Sequence, residues 1–369
     1  MAPDPSDKKQ ALDFANYFVS YGYLYHQKDM LQDRGRMDAY RNAILRNPRS
    51  FKDKVVLDVG TGSGVLAIWA AQAGAKRVYA VEATSMAQQA RRLVQQNGLS
   101  HVVTVLEGYM EQLELPEQVD IIVSEWMGYY LLRESMLDSV LFARQKHLKP
   151  DGAHFPSHAQ IYMAPLSTHL LASRTAEYRQ EVAQWRGFGE YMRTTNQIDI
   201  SGLSAQYGRE QFEYLMQTTQ WCQVQDSEII GDTFQVMEFA VESVELEQLQ
   251  TVSSAFSCEI QQDAELSGFG GWFDVQFNGS AALPTAHAVT LTTSPGAPTH
   301  WAQQVFLVSP AQPVKRGDVL EGRVSLRRQK QNHRLLWVQI RFTHTRAGVG
   351  PGGEALEVQP ERTLNFRIE

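Results

Sequence analysis

The sequence predicts an α/β protein in two parts: an open parallel sheet with helices on both faces, then an antiparallel β-barrel or sandwich. Three observations predict it. Between residues 55 and 148, short apolar runs alternate with amphipathic helical segments. A glycine-rich turn, VGTGSG (59–64), closes the first of those runs. After KPDGAHFPS (149–157) the alternation stops, and β-prone runs follow one another with Gly and Pro clusters between them.

Taken in order, residues 1–13 are polar and broken by prolines, and a flexible tail is expected there. From roughly residue 10 to 48 apolar residues recur at helical spacing, Tyr17, Phe18, Tyr21 and Leu24 and then Met30, Met37, Tyr40 and Ile44, until Pro48 stops the pattern. VVLDV (55–59), RVYAVE (77–82), VVTVLE (102–107) and VDIIVS (119–124) are the expected parallel strands. LAIWAAQA (66–73), MAQQARRLVQQ (86–96) and MLDSVLFARQKHL (136–148) are the helices between or after them. The first domain, 14–156, should end near Pro156 and the second should occupy 157–369. In the second, FQVMEFAV, SSAFSCEI, GWFDVQF, HAVTLTT, WAQQVFLV, VLEGRVSL and LLWVQIRF read as strands, and TRAGVGPGGEA (345–355) as the longest loop. Residues 168–217 are the exception, a helical insertion carrying Trp185, Phe188, Tyr191, Tyr207, Phe212 and Tyr214.

Composition narrows the function. A hydrophobic content of 43% supports a substantial core, and the two cysteines, Cys222 and Cys258, lack any metal-ligand or disulfide-framework spacing. With neither a signal peptide nor an apolar run long enough to span a bilayer, a soluble intracellular protein of a reducing compartment is expected, with no membrane association. A formal net charge of −7 argues against a nucleic-acid backbone as partner and favours a cationic one. The run RRQKQNHR (327–334) reads as a solvated hairpin turn, and the NGS at Asn278 as a turn.

Two stretches carry chemistry. VLDVGTGSG places Asp58, Gly60, Gly62 and Gly64 at the carboxyl edge of the first strand, where glycines let the backbone approach a ligand closely. Glu82 ends the second strand, positioned to accept ribose hydroxyls, and Glu111 follows the third. A nucleoside cofactor is expected, and the spacing alone leaves NAD and S-adenosylmethionine open. In SEWMGYYLLRES (124–135), Glu125 and Glu134 are nine positions apart, so neither a helix nor a strand would bring them together. If they act as a pair, the chain must fold back, and Gly128 is the expected turn.

VLDVGTGSG, VYAVEAT, SEWMGYYLLRES, the stretch YFVSYGYLYHQKDMLQDRGRMDAY (17–40) and THW (299–301) closely resemble the protein arginine methyltransferases, in family order from about residue 14 to the end. The resemblance implies a Rossmann-like domain binding S-adenosyl-L-methionine, which leaves as S-adenosyl-L-homocysteine, without a metal. It implies a β-barrel substrate domain whose insertion is a dimerisation arm, long as in plant-type members, and a homodimer. Glu125 and Glu134 would grip the substrate arginine, Arg36 would meet the cofactor's carboxylate, and Tyr21 would sit on a lid that helps to form the arginine pocket. His300, of THW with Trp301, would pair with Asp33 and either accept a proton or latch the N-terminal helices to the barrel. Gln27 stands where most members have histidine; it would still hydrogen-bond the cofactor, but no titrating role carries over to it. Met30, Met127 and the THW with Trp301 match the asymmetric-dimethylating, type I members, in which they would shape the substrate pocket and control the product. The expected partners are arginine- and glycine-rich proteins, histones among them, in the cytoplasm or nucleus. The competing readings are an inactive arginine-binding scaffold, a small-amine methyltransferase and a NAD-linked enzyme.

Overall fold

A computed structural model of the protein describes residues 18–346 and 358–368. The expected tail, Tyr17 and most of TRAGVGPGGEA lie outside the described residues. Residues 18–21 are helical, and α1 (Leu24–Gln32), α2 (Arg34–Leu45) and α3 (Pro48–Phe51) follow. The helical stretch read from the sequence is therefore divided. Asp33 takes an extended conformation at φ −68°, ψ 96°, ending α1, and its carboxylate caps α2 by accepting from the Arg36 N–H at 3.0 Å. Pro48 starts a short helix as well as stopping a long one, because its fixed φ suits a first turn.

The parallel sheet comprises β1 (Val55–Val59), β2 (Arg77–Glu82), β3 (Val103–Glu107), β4 (Val119–Val123) and β5 (Leu148–Phe155), in the order β3-β2-β1-β4-β5. The helices α4 (Val65–Gln72), α5 (Met86–Gln96) and α6 (Leu137–His147) connect them. Every residue of β1 is buried, as a central strand covered on both faces requires. β5 was not expected from the sequence, because Pro150, Asp151 and Gly152 read as a break. It survives as an edge strand paired only with β4, where a missing ladder N–H costs little. The strand order reverses at β1, so the crevice beyond the ends of β1 and β4 is the natural ligand site.

The chain leaves this sheet at Phe155 and enters the antiparallel region at β6 (His158–Leu166). The insertion forms a helical hairpin, α7 (Leu170–Thr195) and α8 (Ser204–Met216). Next come β7 (Gln220–Cys222), β8 (Phe234–Ala240), α9 (Leu246–Gln250), β9 (Thr251–Glu259) and β10 (Ala264–Gln276). The last strands are β11 (Thr290–Thr292), β12 (Gln303–Val314), β13 (Val319–Arg328), β14 (Leu336–Thr345) and β15 (Arg362–Ile368). They form two sheets, β7-β12-β10-β6-β8 with β11 on β10, and β15-β14-β13-β9. Aromatic pairs cross between them: Phe234 stacks on Phe256 at 4.3 Å, and Phe269 meets Phe342 at 5.4 Å and Phe306 meets Phe366 at 5.3 Å edge to face. Isolated bridges join their borders, Thr218 to Arg367 on one side and Gly231 to Ile260 on the other, which turns the pair into a flattened barrel. Among the described residues, no helix is long and apolar enough to cross a membrane.

Candidate active site

A cavity of about 290 Å³ opens at the carboxyl edge of the parallel sheet. Gly60, Gly62, Glu82 and Glu111 line it from the sheet, Tyr21, Gln27, Met30 and Arg36 from the N-terminal helices, and Glu125, Met127 and Glu134 from the segment after β4. Gly60 and Gly62 adopt positive φ, which favours glycine, and a Cβ on Gly62 would lie 2.9 Å from Gln27 Oε1 of α1, so a side chain there would displace the Gln27 amide. Asp58 lies outside the wall. It is fully buried beneath the turn and accepts from the Thr61 hydroxyl at 2.5 Å; burial pushes its carboxyl up to about 7.

Glu82 is partly committed already. Its Oε1 accepts from the N–H and hydroxyl of Thr84 at 2.8 and 2.7 Å, and its Oε2 from the Gly62 N–H at 2.8 Å. An acceptor position remains on Oε2 for a ligand hydroxyl. Glu111, in the turn after β3, accepts from Ser139 Oγ at 2.7 Å.

The segment SEWMGYYLLRES folds back as its spacing required. Gly128 N–H donates to Leu131 O at 3.0 Å, and a Cβ on Gly128 would stand 1.9 Å from Arg133 O, so no side chain is tolerated at the crossing. The return puts Glu125 and Glu134 in the wall of one cavity. Each carboxylate meets an arginine of the chain itself. Glu125 Oε2 accepts from Arg36 Nε at 3.0 Å and is ion-paired with Nη2 at the same distance, and Glu134 Oε1 accepts from Arg133 Nη1 at 3.1 Å, while the Tyr21 hydroxyl donates to Glu134 Oε2 at 2.8 Å. Arg36 also donates through Nη1 to Met30 O and Met37 Sδ. One Nη2 proton is left for an incoming carboxylate.

Asp33, His300 and Trp301 lie outside the cavity wall. His300 Nδ1 is 2.6 Å from Asp33 Oδ2, which also accepts the His300 backbone N–H at 2.9 Å. Burial alone would raise the Asp33 carboxyl, but the bonds from the His300 ring and from the Arg36 and His300 backbones outweigh it and hold it below its usual value. Next to it, Trp301 Nε1 donates to Met127 O at 3.0 Å, fastening the barrel to the glutamate loop.

The run RRQKQNHR corrects the sequence reading. It is the β13–β14 turn, but it is not simply solvated: Arg328 and Arg334 are 4% and 8% exposed. Arg328 Nη1 bonds both oxygens of Asp138 at 2.8 and 2.9 Å, His333 O accepts from Ser135 Oγ at 2.5 Å, and Arg334 O accepts from the Glu134 N–H at 2.9 Å. His333 and Arg334 line the cavity, with the Arg334 guanidinium 5.7 Å from the centre of the Phe18 ring. The one sequence signal was that His333 and Arg334 immediately precede the apolar run LLWVQIRF.

Residues 56–152 match a methyltransferase domain, and residues 158–347 match the arginine methyltransferase oligomerization subdomain. The chain is 45% identical over 339 residues to protein arginine N-methyltransferase PRMT10 of Arabidopsis thaliana, covering 91% of this chain and 88% of that protein. A crystal structure of Arabidopsis thaliana protein arginine methyltransferase 10, described as a uniquely open conformation, superposes with a TM-score of 0.90 at 42% identity over 96% of this chain and 100% of that one. The Trypanosoma brucei PRMT1 enzyme–prozyme heterotetrameric complex with AdoHcy is similar at a TM-score of 0.74 and 31% identity, over 95% of this chain and 100% of that one. With the folded-back glutamate segment at the mouth of a parallel-sheet crevice and likeness over nearly the whole chain, the protein belongs to the protein arginine N-methyltransferase family.

Proposed function

We propose that the protein transfers methyl groups from S-adenosyl-L-methionine to guanidino nitrogens of protein arginines as a type I enzyme, giving monomethyl- and asymmetric dimethylarginine. The observation that carries this reading is the return of the chain at Gly128, which faces two carboxylates into one cavity beside the glycine turn.

The residues present fit the cofactor. The Gly60–Gly62 turn gives the close backbone approach a nucleoside needs, Glu82 Oε2 keeps an acceptor position for a ribose hydroxyl, and Arg36 keeps a donor for the methionine carboxylate. When bound, the sulfonium supplies an electrophilic methyl carbon.

A guanidinium is a poor nucleophile because its charge is delocalised and its pKa lies above about 12. Glu125 and Glu134, accepting its N–H groups, draw the positive charge to one side and leave more electron density on the nitrogen facing the methyl. The Tyr21 hydroxyl orients Glu134, and Arg36 orients Glu125. A carboxylate already bonded to the reacting nitrogen is the nearest acceptor for the proton it loses. The His300–Asp33 pair, outside the wall, is assigned to latching α2 to the barrel. Met30 and Met127 in the wall support type I chemistry, since unbranched side chains leave room for a second methyl on the same nitrogen.

The net charge of −7 suits arginine- and glycine-rich substrates and histone tails. Homodimerisation is supported by the matched oligomerization subdomain and by the exposed Phe188, Tyr191 and Tyr214 on the α7–α8 hairpin.

Incubation with S-adenosyl-L-methionine and an arginine–glycine peptide, followed by mass spectrometry, tests the whole reading. Mass gains of one and then two methyl groups on arginine are expected, with fragment ions of the asymmetric isomer. The symmetric isomer would refute the type assignment, and peptide binding without any gain would mean an inactive scaffold.

A further inference from the structure

Residues 18–21 are helical and are set off from α1 by Gly22 and Tyr23. Two of their rings reach the far walls of the cavity. Tyr21 donates its hydroxyl to Glu134, and Phe18 has one partner from each domain. The Tyr109 ring, in the turn after β3, meets Phe18 edge to face at 5.1 Å and 88°. From the barrel, the Arg334 guanidinium stands over the Phe18 ring, 5.7 Å from its centre. Phe18, Tyr21, Tyr109 and Arg334 all line the cavity.

Arg334 is built into the molecule at its backbone. Its N–H donates to Asn332 Oδ1 at 3.2 Å and its carbonyl accepts the Glu134 N–H at 2.9 Å, while Arg328 fixes the same turn to Asp138. The cation that meets Phe18 is therefore carried by the residue bonded to Glu134, whose carboxylate Tyr21 holds. A guanidinium within about 6 Å of an aromatic face attracts it, and more strongly where water is kept out, as around a side chain this buried. The N-terminal helices form one wall of the cavity, so releasing Phe18 opens that wall. We propose that Arg334 is a positioning residue of the barrel, a clasp that holds this wall shut through Phe18. Exchange of S-adenosyl-L-homocysteine for S-adenosyl-L-methionine is then governed from the β13–β14 turn, and the closure that retains the cofactor also keeps Tyr21 on Glu134. The clasp rests on the arginine-methyltransferase reading and deepens it.

The test is the rate at which bound, tritium-labelled S-adenosyl-L-homocysteine leaves the full-length protein into an excess of unlabelled ligand. It compares the wild type with Arg334→Ala, Arg334→Lys, Phe18→Leu and the double variant Phe18→Leu with Arg334→Ala. Arg334→Ala should speed release about fivefold, the weight of one such contact, whereas Arg334→Lys, which keeps the charge, should stay near the wild type. Phe18→Leu keeps apolar bulk without the ring, and in that background Arg334→Ala should change the rate by less than about twofold. Unchanged release from Arg334→Ala overturns the clasp. So does an acceleration of the same size with and without the Phe18 ring, since that would be a structural effect of the turn. Wild-type protein that retains no S-adenosyl-L-homocysteine overturns the parent reading instead, and is told apart by the absence of any bound label before the chase.

Discussion

At Glu134 the backbone is held at φ 80°, and Tyr130, Leu131 and Ser135 also lie in the left-handed region at 50°, 67° and 58°. Such residues cost on the order of 1–3 kcal/mol each and persist only where their surroundings fix them. The apolar filling of SEWMGYYLLRES does this fixing: Tyr130, Leu131 and Leu132 are 2%, 1% and 3% exposed, and Tyr130 packs edge to face on Phe306 at 5.4 Å. The pairing of the acids was legible because neither a helix nor a strand could unite them. The partner of Glu125, Arg36, was not, since it comes from 89 residues away and nothing local marks the contact. Glu134→Gln should keep the fold, judged by circular dichroism, and lower kcat/KM on the order of a hundredfold or more, because a buried charge loses its partner. Gly128→Ala should be worse for the loop than for the molecule. Its Cβ has no space against Arg133 O, so methyl transfer should be lost while urea unfolding shows a fall of about 1–3 kcal/mol.

At the scale of elements, the division of the N-terminal helices at Asp33 decides how α2 meets the barrel. Helical periodicity showed the apolar positions but not the break, where Asp33 caps α2 through one oxygen and meets His300, 267 residues later, through the other. β5 and the buried face of the β13–β14 turn escaped the sequence for related reasons: edge position tolerates Pro150 and Gly152, and a charged run shows no sign of the Asp138 and Ser135 it will meet. A folded-state carboxyl held below its ordinary value contributes stability above the unfolded value and loses it as pH falls through the folded one. Asp33→Asn, which keeps a cap for the Arg36 N–H, should therefore cost about 1 kcal/mol near neutral pH. The difference should vanish as pH falls below the range in which Asp33 titrates, measured by urea unfolding across that range.

The molecule as a whole is two sheet systems joined around one loop. Its division into a parallel and an antiparallel half was readable from where the helices stop alternating with strands. The closing of the barrel was not, since Thr218–Arg367 and Gly231–Ile260 are single bridges between distant segments. In the hairpin arm, Trp185 and Tyr207 stack on each other at 4.3 Å, which leaves Phe188, Tyr191 and Tyr214 exposed at 47%, 54% and 66%. Replacing those three by serine should shift a dimer to monomers in light scattering without unfolding the arm, whose internal stack is untouched. An unchanged dimer would place the interface elsewhere. The most direct measurement of the central claim is a crystal structure with S-adenosyl-L-homocysteine and an arginine peptide bound. The guanidinium should lie between the carboxylates of Glu125 and Glu134 with one nitrogen turned to the sulfur. A guanidinium that meets neither acid, or carboxylates turned away from each other with both ligands in place, would contradict it.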